Sequence, residues 1–247
     1  MSSVTLEKRI EAKKRPSGIP IMHQGWRQLL FLHWKVDPDQ IQATLPPGLT
    51  VDTFQGKGYV TLNIFFMENV SFTGIPAVPG LSNFTEVNFR TYVYDKQGNP
   101  GIWFYSLDID SLVATTLARN AFSLPYFFSD LKASQEKNKI HVEGRRSQEE
   151  QIHVKAIFEP TSDIYQEAKP NTLDFFLIER YILFSFAANQ LNKAHVHHLA
   201  YPLGEVEVSE LKTNLIEAQG FKLENLKPDR SHYSTGVDVD IFNLIKV

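Results

Sequence analysis

The sequence predicts an α+β fold in which a largely antiparallel β-sheet, closed or nearly closed on itself, is flanked by a few helices. Many short segments alternate apolar and polar residues, which is the period of a β-strand. Residues 95–100, with the sequence Asp-Lys-Gln-Gly-Asn-Pro, have the composition of a hairpin turn between two such segments. Signals for helices are confined to a few places, so strands dominate the prediction.

The elements follow in order along the chain. Residues 1–16 are rich in charge and predict a short amphipathic helix or arm. Asp37 followed by Pro38 predicts the start of a short helix, because Asp caps helices and Pro is tolerated in the first turn. Asp110 predicts a second helix through residue 121, and a third is predicted over residues 209–218 before Gly220. Strands are predicted over residues 27–36, 51–54, 59–67, 84–94, 102–109, 139–144, 152–158, 181–186, 194–199, 204–208 and 237–245.

The length of 247 residues suits one large domain, and no Pro-rich or Gly/Ser-rich linker divides the chain. We therefore expect an N-terminal arm over residues 1–22 and a single domain over residues 23–247. The longest apolar run, residues 175–188, contains Glu179 and Arg180 and is too short to span a membrane. Residues 1–16 lack the apolar core of a secretory signal, so we expect a cytoplasmic protein.

The composition excludes several kinds of functional site and does not favour nucleic acid as a partner. The net charge is −3, which does not favour nucleic acid as a partner. Cysteine is absent, which excludes disulfides, thiolate nucleophiles and iron–sulfur clusters. No phosphate-binding or dinucleotide-binding glycine motif occurs, so no cofactor is expected. The expected partner is an anionic small molecule, with neither nucleic acid nor membrane, and a homo-oligomer remains open.

Glu86, Asn88 and Arg90 alternate with apolar residues on one predicted strand and therefore share a face. This face is either the wet side of a half-exposed sheet or part of an enclosed interior. Inside a closed sheet, the carboxylate and the guanidinium could pair and meet a polar ligand. Phe84 and Tyr92 share the face and favour the enclosed arrangement.

Further candidate ligand contacts come from the neighbouring strands. By alternation, Arg27 and His33 share a face with Leu29 and Phe31 in the first strand. The remaining candidates are Asn63 and Trp103.

One cluster of histidines occurs, at positions 195, 197 and 198. On a strand His195 and His197 share a face, at a spacing compatible with metal ligands. No carboxylate stands at a fixed spacing beside them, so we expect exposed or hydrogen-bonded histidines at a strand end and no metal site.

Several longer motifs carry a resemblance to a known family. They are His33-Trp34-x-Val36-Asp37-Pro38, Leu45-Pro46-Pro47-Gly48-Leu49-x-Val51-Asp52, Glu86-x-Asn88-x-Arg90-Thr91-Tyr92-Val93, Pro100-Gly101-Ile102-Trp103-Phe104-x-Ser106-Leu107-Asp108, Ala118-Arg119, Leu124-Pro125-Tyr126-Phe127, Glu179-Arg180-Tyr181 and Gly236-Val237-Asp238-Val239. Together they make the chain similar to the YqjF-like family, grouped as domain of unknown function 2071. The motifs extend over nearly the whole chain.

That family is similar in turn to acetoacetate decarboxylase, which implies a β-barrel with a central polar cavity. The resemblance matches Glu86 to an acidic residue of the decarboxylase and places Arg119 at the end of a helix. In the decarboxylase a proline precedes two lysines, of which the first forms a Schiff base and the second lowers its pKa. Tyr126 and Phe127 follow Pro125 here, and a phenol cannot form an imine, so decarboxylation through an imine is not expected.

Three functions remain open at this stage. In the first, Glu86, Asn88, Arg90, Arg119 and Tyr126 line a cavity that binds a small polar or carboxylate-bearing molecule. In the second, the protein is a lyase or hydrolase with Glu86 as general acid or base, Arg119 or Arg90 as anion clamp and Tyr126 as proton donor. In the third, side chains fill the barrel and the protein is structural. A cavity of about 300 Å³ or more that contains Glu86 and Tyr126 would support the first two, and a filled core would favour the third.

Overall fold

The computed structural model describes residues 4–78 and 82–247. Within them the chain forms five helices and fourteen strands. The helices are α1 (Leu6–Ala12), α2 (Pro38–Gln42), α3 (Leu112–Phe122), α4 (Leu173–Ile178) and α5 (Leu215–Ala218). The strands are β1 (Met22–Val36), β2 (Leu49–Val51), β3 (Gly58–Phe72), β4 (Phe84–Asp95), β5 (Pro100–Ile109), β6 (Tyr126–Glu136), β7 (Lys139–Arg146), β8 (His153–Pro160), β9 (Ile182–Ala187), β10 (Gln190–His198), β11 (Leu203–Gly204), β12 (Val206–Thr213), β13 (Arg230–Ile241) and β14 (Ile245–Lys246).

The sheet closes into a ring. Among the described residues, seven strands pair in the circular order β1, β3, β4, β5, β9, β10, β13 and back to β1. All of these pairs are antiparallel except the parallel pair of β5 with β9. The predicted α+β class with a largely antiparallel, closed sheet is confirmed.

The sheet continues beyond the ring. Strand β6 pairs in parallel with β5, and β7, β8 and β12 follow it in antiparallel order. The outer face of the ring packs against this extension, because Leu62 and Ile64 of β3 share a hydrophobic cluster with Val142 of β7 and Phe158 of β8. The other face of β3 carries Phe65 and belongs to a second cluster inside the ring. Residues 58–65 of β3 are therefore buried on both faces, and the inner face of the ring positions the site.

The sequence predicted helices correctly where a capping residue marks the start of the helix. Asp37 caps α2, and its side chain accepts a hydrogen bond from the Asp39 amide at 2.9 Å. The second predicted helix exists as α3, but Ser111 caps it, while Asp110 accepts from the Thr85 amide. The predicted N-terminal helix is α1, capped by Thr5.

The helix predicted over residues 209–218 is wrong in its first half. Residues up to Thr213 continue β12, and only Leu215–Ala218 are helical. A register shift between Val208 and Glu210 keeps β12 paired with β8, so hydrogen bonding to the neighbouring strand overrides the weak helical pattern. Strand β6 and helix α4 were not predicted at all.

Within the described part of the chain, no helix is both long enough and apolar enough to cross a membrane.

Candidate functional site

The interior of the ring holds a cavity with one polar side and an otherwise apolar lining. The volume of the cavity is about 50 Å³. The space free of atoms is about 740 Å³ when the open mouth is included. The polar and phenolic side chains on its wall are Gln24, Asn63, Glu86, Asn88, Arg90, Tyr126, Arg180 and Tyr201. Glu86 and Tyr126 thus line the same cavity.

Strand β4 supplies the centre of the polar side. Glu86, Asn88 and Arg90 are 2%, 2% and 5% exposed, so all three are buried. Glu86 accepts a hydrogen bond through Oε1 from Asn88 Nδ2 at 2.8 Å. Its other oxygen, Oε2, has no hydrogen-bond partner among the described residues. One carboxyl oxygen is therefore held in place by Asn88 and the other is not.

Asn63 lies opposite Asn88 on β3. With its amide oxygen turned toward Arg90, Asn63 accepts hydrogen bonds from Nε and Nη1 of that residue at 3.3 Å each. The Arg90 guanidinium also lies 5.9 Å from the centre of the Phe31 ring. A neutral amide and an aromatic ring thus hold the charge of Arg90 beside the cavity.

Burial changes the acid–base properties of the site. It raises the pKa of Glu86 to about 7, although Asn88 and Arg90 act in the opposite direction. Burial, together with the nearby Glu86, also raises the pKa of Tyr126 well above its ordinary value. Near neutral pH the Glu86 carboxyl can therefore either donate or accept a proton.

Arg180 is the second guanidinium on the cavity wall, and it follows α4. Nε donates to the Phe176 carbonyl at 2.8 Å, and Nη1 donates to Asp52 Oδ2 at 2.7 Å. Nη2 is buried and has no hydrogen-bond partner among the described residues. Burial lowers the pKa of Arg180 to about 10, with Asp52 opposing the change, so the group remains a cation.

Asp52 is shared between two arginines. Besides Arg180, it accepts two hydrogen bonds from Arg9 of α1, at 2.7 and 2.8 Å. Burial raises the pKa of Asp52, but the two guanidinium groups outweigh burial and leave it below its ordinary value. The N-terminal helix thus helps to hold the carboxylate that orients Arg180.

Arg119 does not reach the cavity, so the prediction that it contacts the ligand is wrong. The residue is exposed, and its Nε donates to the Tyr126 carbonyl at 2.5 Å. The chain turns at Pro125 after α3 and brings the Tyr126 backbone beside Arg119. The guanidinium therefore supports the start of β6 and is not available to clamp an anion in the ring.

Arg27 also lies outside the cavity, because β1 is not a regular strand. The pairing of β1 with β3 shifts between Arg27 and Leu30, and Gln28 has a φ of 52°. A bulge of this kind reverses which side chains face inward. Trp26 lines the cavity before the bulge and Leu29 after it, whereas Arg27 bonds to Asp238 at 2.5 Å.

His33 lies on the inner face, but it stands beyond Phe31 and does not line the cavity. It belongs to a buried chain of hydrogen bonds that contains Asp174, His232 and Thr61. His33 contacts Thr61 Oγ1 at 2.8 Å and His232 at 3.2 Å, and His232 contacts Asp174 at 2.9 Å. Burial lowers the pKa of His33, and His232 lowers it further, so His33 is neutral.

Trp103 is the fourth predicted residue that the structure does not place on the cavity wall. Its neighbours Ile102 and Phe104 line the cavity, so alternation along β5 directs Trp103 outward. There it packs against a small cluster with Val93 and Phe184. The segment is apolar on both faces, and the sequence therefore held no pattern that distinguished inside from outside.

Arg180 is the functional candidate that the sequence reasoning missed. A charged pair, Glu179 and Arg180, interrupts an apolar run, and that was the available signal. The pair also belongs to the family motif Glu179-Arg180-Tyr181, but it was used as an argument against a membrane span and not as a candidate for the site. Arg180 is oriented by its contact with Asp52, which lies 128 positions away in the sequence.

The histidine cluster is separate from the cavity. His198 is buried and stacks on Tyr181 with ring centres 4.5 Å apart. The structure describes no group of three or more acidic or histidine side chains that could hold a metal ion. In the described chain no lysine lines the cavity, and Lys57 and Lys132 are exposed.

Comparison with known proteins gives the family and the fold of the chain. Residues 23–238 match domain of unknown function 2071 (DUF2071), described as an uncharacterized conserved protein. The chain belongs to the DUF2071 family. It is 35% identical over 231 residues to the uncharacterized protein YqjF of Bacillus subtilis, and the match covers 94% of each chain.

Solved structures show the fold of this DUF2071 protein. An acetoacetate decarboxylase-like enzyme from Sphingomonas wittichii RW1 is similar with a TM-score of 0.61, 12% identity and coverage of 93% and 94% of the two chains. Acetoacetate decarboxylase from Legionella pneumophila is similar with a TM-score of 0.60, 15% identity and coverage of 100% and 98%. The acetoacetate decarboxylase-like fold predicted from the motifs is confirmed.

Proposed function

We propose that this DUF2071 protein binds a small molecule with a carboxylate in the cavity of its ring. One observation carries the proposal: Arg180 lines the cavity, and its buried Nη2 has no hydrogen-bond partner among the described residues. A buried donor without a partner is costly, and a charged one more so, which favours a ligand that accepts its hydrogen bond.

The absence of cysteine suits the cytoplasm, which we propose as the location of the protein.

The charges around the cavity support an anionic ligand. Asp52 is shared between Arg180 and Arg9, so these three groups together carry a positive charge. The neutral Asn63 and Tyr92 and the titrating Glu86 stand beside Arg90. When Glu86 is protonated, the polar side of the cavity carries a positive charge and Glu86 can donate a hydrogen bond. A carboxylate placed between the two arginines would find charged donors on both sides.

Replacing Arg90 with Gln should weaken binding of acetoacetate by about 10- to 100-fold, because charged hydrogen bonds contribute about 1.5–3 kcal/mol. Isothermal titration calorimetry with acetoacetate and with its methyl ester measures the effect. The ester should bind weakly to both proteins. Arg119→Gln is the matched control, because this exposed arginine lies outside the cavity. Equal losses in the two variants, or equal affinities for acid and ester, would contradict the proposal.

A second candidate is an enzyme that uses Glu86 as general acid or base. The observation that favours it is the pKa of Glu86, which burial raises to about 7 and so matches proton transfer at neutral pH. Tyr126 lines the same cavity as a proton donor, and Arg90 takes the place of the anion clamp. A lyase or hydrolase reaction would then act on the bound carboxylate. The cavity volume of about 50 Å³ is below the roughly 300 Å³ expected of a ligand pocket, so the support for both candidates over a structural role comes from the wall that Glu86, Arg90 and Tyr126 share.

Imine chemistry is not part of either proposal. Incubation with acetoacetate followed by borohydride should add no mass to any lysine, because the cavity-lining residues of the described chain include no lysine. Mass spectrometry of tryptic peptides provides the measurement, and a labelled lysine would refute the expectation. If none is labelled, Tyr126→Lys tests the rest of the site: decarboxylase activity gained by that change would indicate that the remaining decarboxylase geometry is in place.

A further inference from the structure

A second, apolar groove lies beside the cavity. It runs between α3 and the residues Ile75, Pro76 and Val78, which follow β3, and its cavity volume is about 180 Å³. In the described part of the chain, no charged side chain lines it. Val113 and Leu117 of α3 and Ile75 and Val78 opposite them are 48%, 51%, 59% and 47% exposed. Large apolar side chains clustered in this way on a surface mark a binding site.

The groove and the polar cavity adjoin each other. Four side chains line both of them, namely Gln24, Met67, Phe122 and Tyr126. These residues form the boundary between the two spaces. Gln24 and Met67 have unbranched, flexible side chains that can adapt to a molecule passing between them. An elongated ligand that occupied both spaces would have to pass between these four side chains.

The two adjoining spaces differ in polarity. Arg90, Arg180 and Glu86 stand at the inner end, and the groove at the outer end is apolar. The inner space is small and fits a head group, whereas the groove is larger. We infer that the ligand is an alkyl carboxylate whose head lies in the ring against Arg90 and Arg180 and whose hydrocarbon chain lies in the groove of α3. The inference rests on the proposed function and names its ligand class.

A series of straight-chain carboxylates from acetate to decanoate tests the inference by titration calorimetry. Once the chain is long enough to enter the groove, each added methylene should tighten binding about two- to fourfold. The double variant Val113→Asn, Leu117→Asn should remove this dependence on length and leave the affinity for the short acids unchanged. Leu199→Asn, at a residue that is 77% exposed and lines neither space, is the matched control.

The outcomes separate the two proposals. If short carboxylates bind and chain length has no effect, the inference is wrong and the proposed function stands. If no carboxylate of any length binds, both fail. If light scattering shows a dimer that the groove variant dissociates, a second copy of the chain covers the groove and the inference is overturned. Retained binding of short acids by the double variant shows that it is folded.

Discussion

Asp52→Asn should lower the free energy of unfolding by about 3–5 kcal/mol, the largest effect we expect from a single change. The carboxylate is 2% exposed and receives hydrogen bonds from Arg9 and Arg180 at 2.7–2.8 Å. An amide of nearly the same shape removes the negative charge and leaves the Arg180 cation buried without a counter-ion. Breaking one side of a buried ion pair has a cost of this size. Urea denaturation monitored by tryptophan fluorescence at pH 7 measures it.

Glu11→Gln is the matched control for Asp52→Asn. It also replaces a carboxylate by an amide, but Glu11 and its partner Lys14 are both 68% exposed, where an ion pair contributes little. The pH adds a second test. Because the folded pKa of Asp52 is lowered, its contribution is present above the unfolded value and is lost as the pH falls through the folded value. An Asp52→Asn protein as stable as the wild type at pH 7 would show that Arg180 does not depend on this charge.

Glu86→Gln should stabilise the protein at pH 8 by about 3 kcal/mol and leave its stability at pH 4 nearly unchanged. Burial raises the folded pKa of Glu86 from 4.5 to about 7, and one pKa unit corresponds to about 1.4 kcal/mol. Between these two values the folded protein binds more protons than the unfolded chain, so the wild type loses stability as the pH rises from 4.5 to 7. The amide has no charge to bury and avoids this loss.

Thermal or urea unfolding of the wild type and of Glu86→Gln at pH 4, 6 and 8 measures the difference in their free energies of unfolding. Other titrating groups contribute equally to each protein, so this difference reports on Glu86. Asp39→Asn, at an exposed carboxylate, should show no such pH-dependent difference. A constant difference between Glu86→Gln and the wild type across the three pH values would mean that Glu86 does not titrate in this range. The expected gain would also show that the wild-type protein keeps this carboxylate at the expense of its own stability, as functional sites often do.

Residues 86–90 of β4 alternate between polar and apolar side chains, so the sequence assigned Glu86, Asn88 and Arg90 to one face. Alternation did not decide whether that face was wet or enclosed, and the closure of the ring decided it. The same reasoning failed for Arg27, because the bulge at Gln28 changes the phase of β1 and has no clear mark in the sequence. Alternation locates side chains only as far as the next irregularity of the strand.

Arg119 and Arg180 show a second limit of prediction from sequence, which is that contacts between distant segments cannot be read from local patterns. Arg119 was chosen because the family resemblance places it at the end of a helix, but its side chain is exposed and bonds to the Tyr126 carbonyl. Arg180 became recognisable only when the fold brought it to Asp52 and to the cavity. Local capping and periodicity therefore predicted the elements near them, whereas contacts between distant segments decided which charges form the site.

The closure of the ring has a consequence for how the protein folds during synthesis. Strand β13 pairs with β1, with Met22 opposite Ile241, and it also pairs with β10 and β11. Until residues 230–241 have left the ribosome, β1 and β10 expose unpaired edges and the cavity has an open side. Pairing between such distant segments slows folding, and open edges promote aggregation. The ring therefore closes only after β13 has emerged, and until then the partly formed sheet is open to aggregation.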